Sequence, residues 1–170
     1  YHKRGALAAA RLGGRQNPEK ESSGSQFYIV HGKKFSKKEL KQLAMNKSRQ
    51  KQHQAQQDFV GDPENAWISN GYKRCFEAGM KDSVAYYQKE WQEGLDSVKQ
   101  TIEPISFSEE QVAAYTTDGG APQLDGDYTV FGELIQGFNV LDSIAIVGKD
   151  RNDRPFEDVI FSIEKVKKIK

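Results

Sequence analysis

The sequence is short of cysteine, of histidine and of long apolar runs, and each shortage removes a class of protein. One cysteine, Cys75, in 170 residues cannot close an intramolecular disulfide. The histidines, His2, His31 and His53, are scattered rather than grouped at ligand spacing, so a structural metal site cannot be read from them. No stretch approaches the roughly 20 apolar residues that cross a bilayer, and no membrane span is expected. Charge of one sign is missing too. With 25 Lys and Arg against 24 Asp and Glu the net charge is +1, which supplies no global field for nucleic acid or an anionic surface. A GxSxG elbow, a Cys beside a His and a Walker loop are all absent, so hydrolase and nucleotide-cradle chemistry lack their residues. Gly13-Gly14 is followed by no GK[ST] and reads as a hairpin or loop.

What remains can still build a core. Hydrophobic residues make up 36% and aromatics 11%, enough to pack one domain, or one domain with an appendage. The mean hydropathy of −0.77 points to a solvated helical region alongside it. The chain opens on YHKRGALAAAR, with Tyr rather than Met first and none of the zones of a signal peptide, so its natural start is expected upstream.

Three zones differ in texture. In the first, GALAAARL suits a helix by its alanines and a tightly packed strand by its bordering glycines, while Gln26 to Val30 reads as a buried strand between Gly24 and Gly32. From Phe35 to about Tyr115 the texture is helical. Ser36 to Glu39 forms a capping box, Asp62-Pro63 restarts a helix with Pro first, and Asp82 or Ser83 can cap a third. In that third helix Val84, Tyr87, Trp91, Leu95, Val98 and Ile102 make an amphipathic stripe, expected to be buried against Trp67 and Phe76. Ser108 to Gln111 offers another capping box. The last zone returns to strands at Tyr128 to Leu134 and Val159 to Val166, with a short helix near Phe138 to Ala145. A β domain, residues 1–34 and 116–170, interrupted by a helical insertion over 35–115 is the organisation this implies.

Four blocks carry a resemblance: HKRGALAAAR, SSGSQFYIV, LDGDYTVFGELIQGFNVLDSIA and RPFEDV, in that order. Together they resemble the later part of a cyclophilin-type peptidyl-prolyl cis-trans isomerase, and the helical middle resembles the insertion of some bacterial envelope cyclophilins. The resemblance implies an α+β fold, a cyclophilin-like antiparallel β-barrel of which only the later strands lie here, with an inserted helical subdomain. It implies a groove for X-Pro segments of polypeptide clients, a role in protein folding and no cofactor; it favours a periplasmic or cell-envelope setting, with the cytoplasm as the alternative, since the residues themselves do not give the compartment. Gln26 matches the substrate-contacting glutamine, Tyr28 stands where a phenylalanine walls the proline pocket, and Leu124 matches the pocket leucine. Ala10, Arg11 and Leu12 occupy the stretch whose backbone pairs with the peptide. Tyr128 replaces a frequent histidine and Gln123 a frequent tryptophan.

On residue type alone, Gln26 would be a structural hydrogen-bonding side chain and Tyr28 and Leu124 would be core. The family's catalytic arginine belongs to an FHR-type strand that should precede Tyr1, and Arg4, Arg11 and Arg15 match no such motif. An upstream segment or a second copy is therefore expected to complete the barrel. The alternative is a cyclophilin-fold binding module or chaperone with little or no isomerase activity, its helical insertion holding clients. Nucleic acid is not expected as a partner: the six Lys and Arg between Ser36 and Gln57 are interleaved by no aromatic and read as a solvated face.

Overall fold

The computed structural model describes residues 1–166. It is α+β, with a three-stranded antiparallel sheet and five α-helices among the described residues. Two compact units divide the chain, one made of Tyr1–Lys34 and the residues from Ala113 onward, the other of Phe35–Val112.

In the first unit the sheet runs β2-β1-β3, with β1 (Ala6–Ala9) between β2 (Phe27–Ile29) and β3 (Val130–Glu133). The ambiguity of GALAAARL is resolved by tertiary pairing, because β1 is bonded on both sides and the ladder outweighs alanine's preference for helix. Alanine also has a packing use here. Ala6 and Ala8 are buried, and Ala8 lies opposite Tyr28 on one side and Val130 on the other. Side chains directly opposite share a face, so the small methyl leaves room for the larger neighbours across it.

The strands are shorter than the pattern suggests. Residues 10–12 leave β1, although Ala10 keeps its backbone engaged: its N–H donates to Gln26 O at 3.0 Å and its carbonyl accepts from Ser23 N at 2.7 Å. The expected strand from Val159 to Val166 is not formed. Alternating apolar residues make a strand only when a ladder partner is present, and this segment pairs with nothing among the described residues. Its Ile160, Phe161, Ile163 and Val166 are exposed.

Backbone crowding places two glycines. Gly120 bridges both Lys3 and Lys33, and Gly32 faces it with φ +68°, where an added Cβ would lie 2.5 Å from the Gly120 Cα. The unit's helix Phe138–Ala145 starts after Gly137 and is tied back by Arg4, whose guanidinium reaches Asp142 at 2.5 Å and lies over the Phe138 ring.

In the second unit, α1 (Lys37–Gly61) opens on the expected capping box, Ser36 Oγ accepting from Glu39 N while the Glu39 carboxylate accepts from Ser36 N. Asp62-Pro63 does not begin the next α-helix. Pro63–Asn65 is a 3₁₀ turn capped by Asp62, and α2 (Ala66–Glu77) follows it. Nor do Asp82 and Ser83 cap α3 (Lys81–Thr101), because they already lie within its first turn. The tight turn at Gly79, φ +67°, returns Met80 N to Cys75 O at 2.9 Å and launches the helix directly.

The face α2 buries is Ile68, Gly71 and Cys75; of the stripe's expected partners, Trp67 meets Tyr87 edge to face at 6.0 Å but, like Phe76, stays exposed. The reason is a close approach: the Tyr87 ring sits against Gly71, where a side chain would block it, and the Phe59 ring sits likewise against Gly94. The stripe on α3 is consequently half-buried throughout rather than buried. After α3, Ile105 N donates to Ser48 Oγ at 2.8 Å, and the Ser108–Gln111 capping box starts α4 (Glu109–Thr117). The remaining helix, Phe138–Ala145, is α5.

Candidate functional site

The candidate site is built on β1, β2 and the turn at Pro122–Leu124. Residues two apart on a strand share a face, so Gln26, Tyr28 and Val30 line up, running from exposed through half-buried to buried. Tyr28 and Leu124 both pack on the buried cluster Ala6, Val30 and Ala121, joined there by Val130. Tyr128 meets Tyr28 edge to face at 5.9 Å between centroids. The Arg11 guanidinium covers the Tyr128 ring at 4.7 Å and donates through Nε to Asp127 O at 2.7 Å. Of the nominated residues, Arg11, Tyr28, Leu124 and Tyr128 are thus gathered by shared contacts. Gln26 and Leu12 are exposed, with Gln26 on the Tyr28 face.

Beneath these rings lies a polar network that the sequence pattern did not reveal. His2 is buried, and its backbone N–H and its Nδ1 both reach Asp125 Oδ1 at 2.8 Å. Tyr115, also buried, donates its hydroxyl to Asp125 Oδ2 at 2.5 Å. His2 Nε2 lies 3.1 Å from the Tyr28 hydroxyl. Since an ionised carboxylate only accepts, Nδ1 is the protonated nitrogen, and in the neutral ring Nε2 accepts from Tyr28.

These contacts set the titration of the group. Burial alone would raise Asp125, but hydrogen bonds from His2 and Tyr115 outweigh it and hold the carboxyl below its ordinary range. Burial, with the bond to Asp125, pushes the Tyr115 phenol far above its usual range. Tyr28 is raised as well, by burial first and then by Tyr128, with Arg11 opposing. His2, Tyr115 and Asp125 carry no local signal that marks them as partners, since a lone His, a Tyr on a helix and an Asp in an Asp-Gly turn each have an ordinary surface use. Only the fold brings together residues 2, 115 and 125.

The second unit holds a concavity of about 440 Å³ between α2 and α3, lined by Tyr72, Tyr87 and Trp91 with Ser69, Gln88 and Gln92. Among its described lining residues there is no carboxylate, imidazole or cation. Among the described residues no helix is long and apolar enough to cross a membrane, and no group of His, Cys, Asp and Glu could hold a metal ion.

Residues 81–167, just over half of the chain, match the family model described as cyclophilin type peptidyl-prolyl cis-trans isomerase. The chain belongs to that family. It is 52% identical over 50 residues, 28% of this chain and 11% of the relative, to a Streptococcus pyogenes protein named as a bifunctional phosphatase/peptidyl-prolyl cis-trans isomerase. Over 54 residues it is 46% identical to a Staphylococcus saprophyticus protein named as a peptidyl-prolyl cis-trans isomerase, covering 31% of this chain and 27% of that one. A peptidyl-prolyl cis-trans isomerase of Arabidopsis thaliana is 42% identical over 45 residues, 26% of this chain and 7% of the relative. The matched stretches span about a quarter or less of these relatives' length. No solved structure matches significantly.

Proposed function

We propose that this chain is the substrate-binding part of a peptidyl-prolyl cis-trans isomerase acting on X-Pro bonds in flexible polypeptide. The observation that carries the reading is the convergence of Tyr28 and Leu124 on one buried apolar cluster, with Tyr128 and Arg11 layered beside them. Here Tyr28 and Leu124 receive the prolyl ring, Gln26 contacts the peptide from the same strand face, and Ala10, Arg11 and Leu12 offer their backbone to it. The backbone groups of Ala10 already bond to Gln26 and Ser23, so within that trio the peptide's pairing falls on Arg11 and Leu12.

The reaction is rotation about a bond whose barrier is roughly 18–20 kcal/mol, because the nitrogen lone pair is delocalised into the carbonyl. Two things lower it. A dry apolar pocket disfavours the charge-separated resonance form, and a donor at the prolyl nitrogen localises the lone pair. Neither requires a cofactor. Arg4 is engaged by Asp142, and Arg11 by Asp127 and Tyr128, and the donor arginine is assigned, as the family resemblance implies, to an FHR-type strand outside these residues.

The same segment, or a second copy, would close the sheet into a barrel with the helical unit inserted. Supporting this, among the described residues β2 and β3 each have only β1 as neighbour, and Phe27, Ile29 and Phe131 on them are exposed, as are the apolar residues of 156–166. Prolyl isomerisation of a short X-Pro peptide tests the reading. Residues 1–170 alone should accelerate it little, and the protein extended upstream should accelerate it strongly, losing that gain when the upstream arginine is replaced. Strong catalysis by residues 1–170 would overturn the arginine's placement. No catalysis by the extended protein would overturn the isomerase reading.

A further inference from the structure

Tyr28 differs from the phenylalanine implied by the family resemblance by one hydroxyl, and that hydroxyl has a partner. A polar atom brought into an apolar wall costs about 1–3 kcal/mol if left unpaired. Here it meets Nε2 of His2 at 3.1 Å, on an imidazole that is only 1% exposed. The imidazole cannot turn to follow the phenol, because Nδ1 and the His2 backbone N–H are both fixed on Asp125 Oδ1. Asp125 in turn is held from its other oxygen by Tyr115 and follows Leu124 directly in the chain. The two apolar walls, on segments distant in sequence, are therefore tied through one rigid group: Tyr28 to His2, His2 to Asp125, and Asp125 to Leu124 by a peptide bond.

We propose that His2 is a positioning residue, which fixes the tilt of the Tyr28 ring against Leu124 and thereby sets the width of the pocket that receives the prolyl ring. A phenylalanine at position 28 would be held by packing alone. The neighbours of the Tyr28 ring are Ala8 across the ladder, the Ala6, Val30 and Ala121 cluster, the Tyr128 edge and the nearly parallel His2 ring at 6.2 Å, contacts without direction, to which the hydrogen bond adds a directional restraint on the ring's tilt. Preorganisation of this kind improves binding by removing the ordering cost from the moment of association. The inference rests on Tyr28 being a wall of the proline pocket.

Its test is steady-state isomerisation of an X-Pro peptide by the intact protein that carries this chain, with KM and kcat determined separately. The variants are Tyr28→Phe, His2→Asn, their double and Tyr28→Ala. Asparagine places an amide N–H where Nδ1 stands and keeps the bond to Asp125, but is too short to reach Tyr28. Tyr28→Phe and His2→Asn should each raise KM about 3–10-fold with kcat changed less than about twofold, and the double should be no worse than either single, since all three remove one bond. Tyr28→Phe leaves every His2–Asp125 contact in place, so it decides the matter even if His2→Asn fails to fold. A Tyr28→Phe protein with the parent's KM or a lower one, or single effects that add, overturns the positioning role. If that happens while Tyr28→Ala raises KM about tenfold or more, the pocket assignment stands. Should Tyr28→Ala leave KM unchanged, the pocket assignment falls as well.

Discussion

The imidazole of His2 and the carboxylate of Asp125 meet at 2.8 Å although 123 residues separate them. Among its hydrogen bonds Asp125 accepts two from His2 and one from Tyr115, and both donors' side chains are buried. Hydrogen bonds to a charged group contribute about 1.5–3 kcal/mol each, and donors orphaned in the interior cost about 1–3 kcal/mol. Asp125→Ala should therefore destabilise the protein by about 3–5 kcal/mol, among the largest effects of any single polar substitution. Urea unfolding monitored by circular dichroism measures it. A loss below about 1 kcal/mol would mean that water replaces the carboxylate and that the network is not closed.

The same carboxylate gives a pH signature with a definite sign. Its folded-state titration lies below its ordinary value, so its contribution is complete above the normal carboxylate range and is lost as pH falls through the folded value. Glu133, through Lys3, and Asp142, through Arg4 and His31, are lowered too, but on exposed side chains that salt screens. The expected outcome is a fall in stability below about pH 4 that persists in about 0.5 M salt and is flattened by Asp125→Asn. If high salt abolishes the acid limb in the parent protein, surface pairs rather than Asp125 produce it.

How much of this was legible beforehand depended on whether the signal was local. The capping boxes at Ser36 and Ser108, the helix at Phe138–Ala145 and the two short strands around Tyr28 and Phe131 follow from nearby residue types, and the sequence shows them. GALAAARL could be decided only by its neighbours, because a central strand is defined by two ladders that no local window contains. The strand expected over 159–166 failed for the same reason in reverse. Tyr28 and Leu124 were nominated by the motifs around them, whereas His2, Tyr115 and Asp125 became partners only through the fold. On α3 the periodicity is visible in the sequence, but not the depth of burial: Tyr87 lies against Gly71 and meets only the edge of a Trp67 that stays exposed, and Phe59 lies against Gly94.

Close approach at Gly32 makes a sharp stability prediction. An alanine there would sit in the left-handed region at φ +68° with its Cβ 2.5 Å from the Gly120 Cα. The backbone conformation alone costs on the order of 1–3 kcal/mol, and the clash is with main chain that cannot step aside. Gly13→Ala is the control, since nothing lies within 4 Å of its added Cβ and its φ is −77°. Thermal unfolding should drop markedly for Gly32→Ala and stay within about 0.5 kcal/mol of the parent for Gly13→Ala. Equal effects in the two variants would contradict the close packing of Gly32 on Gly120.

In the helical unit, burial rather than size should rank the substitutions. Ile68 is 4% exposed, on the buried face of α2 with Gly71 and Cys75, whereas Trp91 is half-buried with an edge contact to Phe59 at 6.2 Å. Truncating a buried isoleucine costs about 2–5 kcal/mol, because the surroundings cannot collapse fully into the space. Fully buried tryptophan would cost about 3–5 kcal/mol, but a ring with one flank already in water loses less apolar burial and leaves an open notch instead of a cavity. Ile68→Ala should therefore destabilise the protein more than Trp91→Ala, although tryptophan is by far the larger side chain. Denaturant unfolding of both variants decides the order. If Trp91→Ala proves the more damaging, the α3 stripe is buried in solution to an extent that its half-exposed rings do not show.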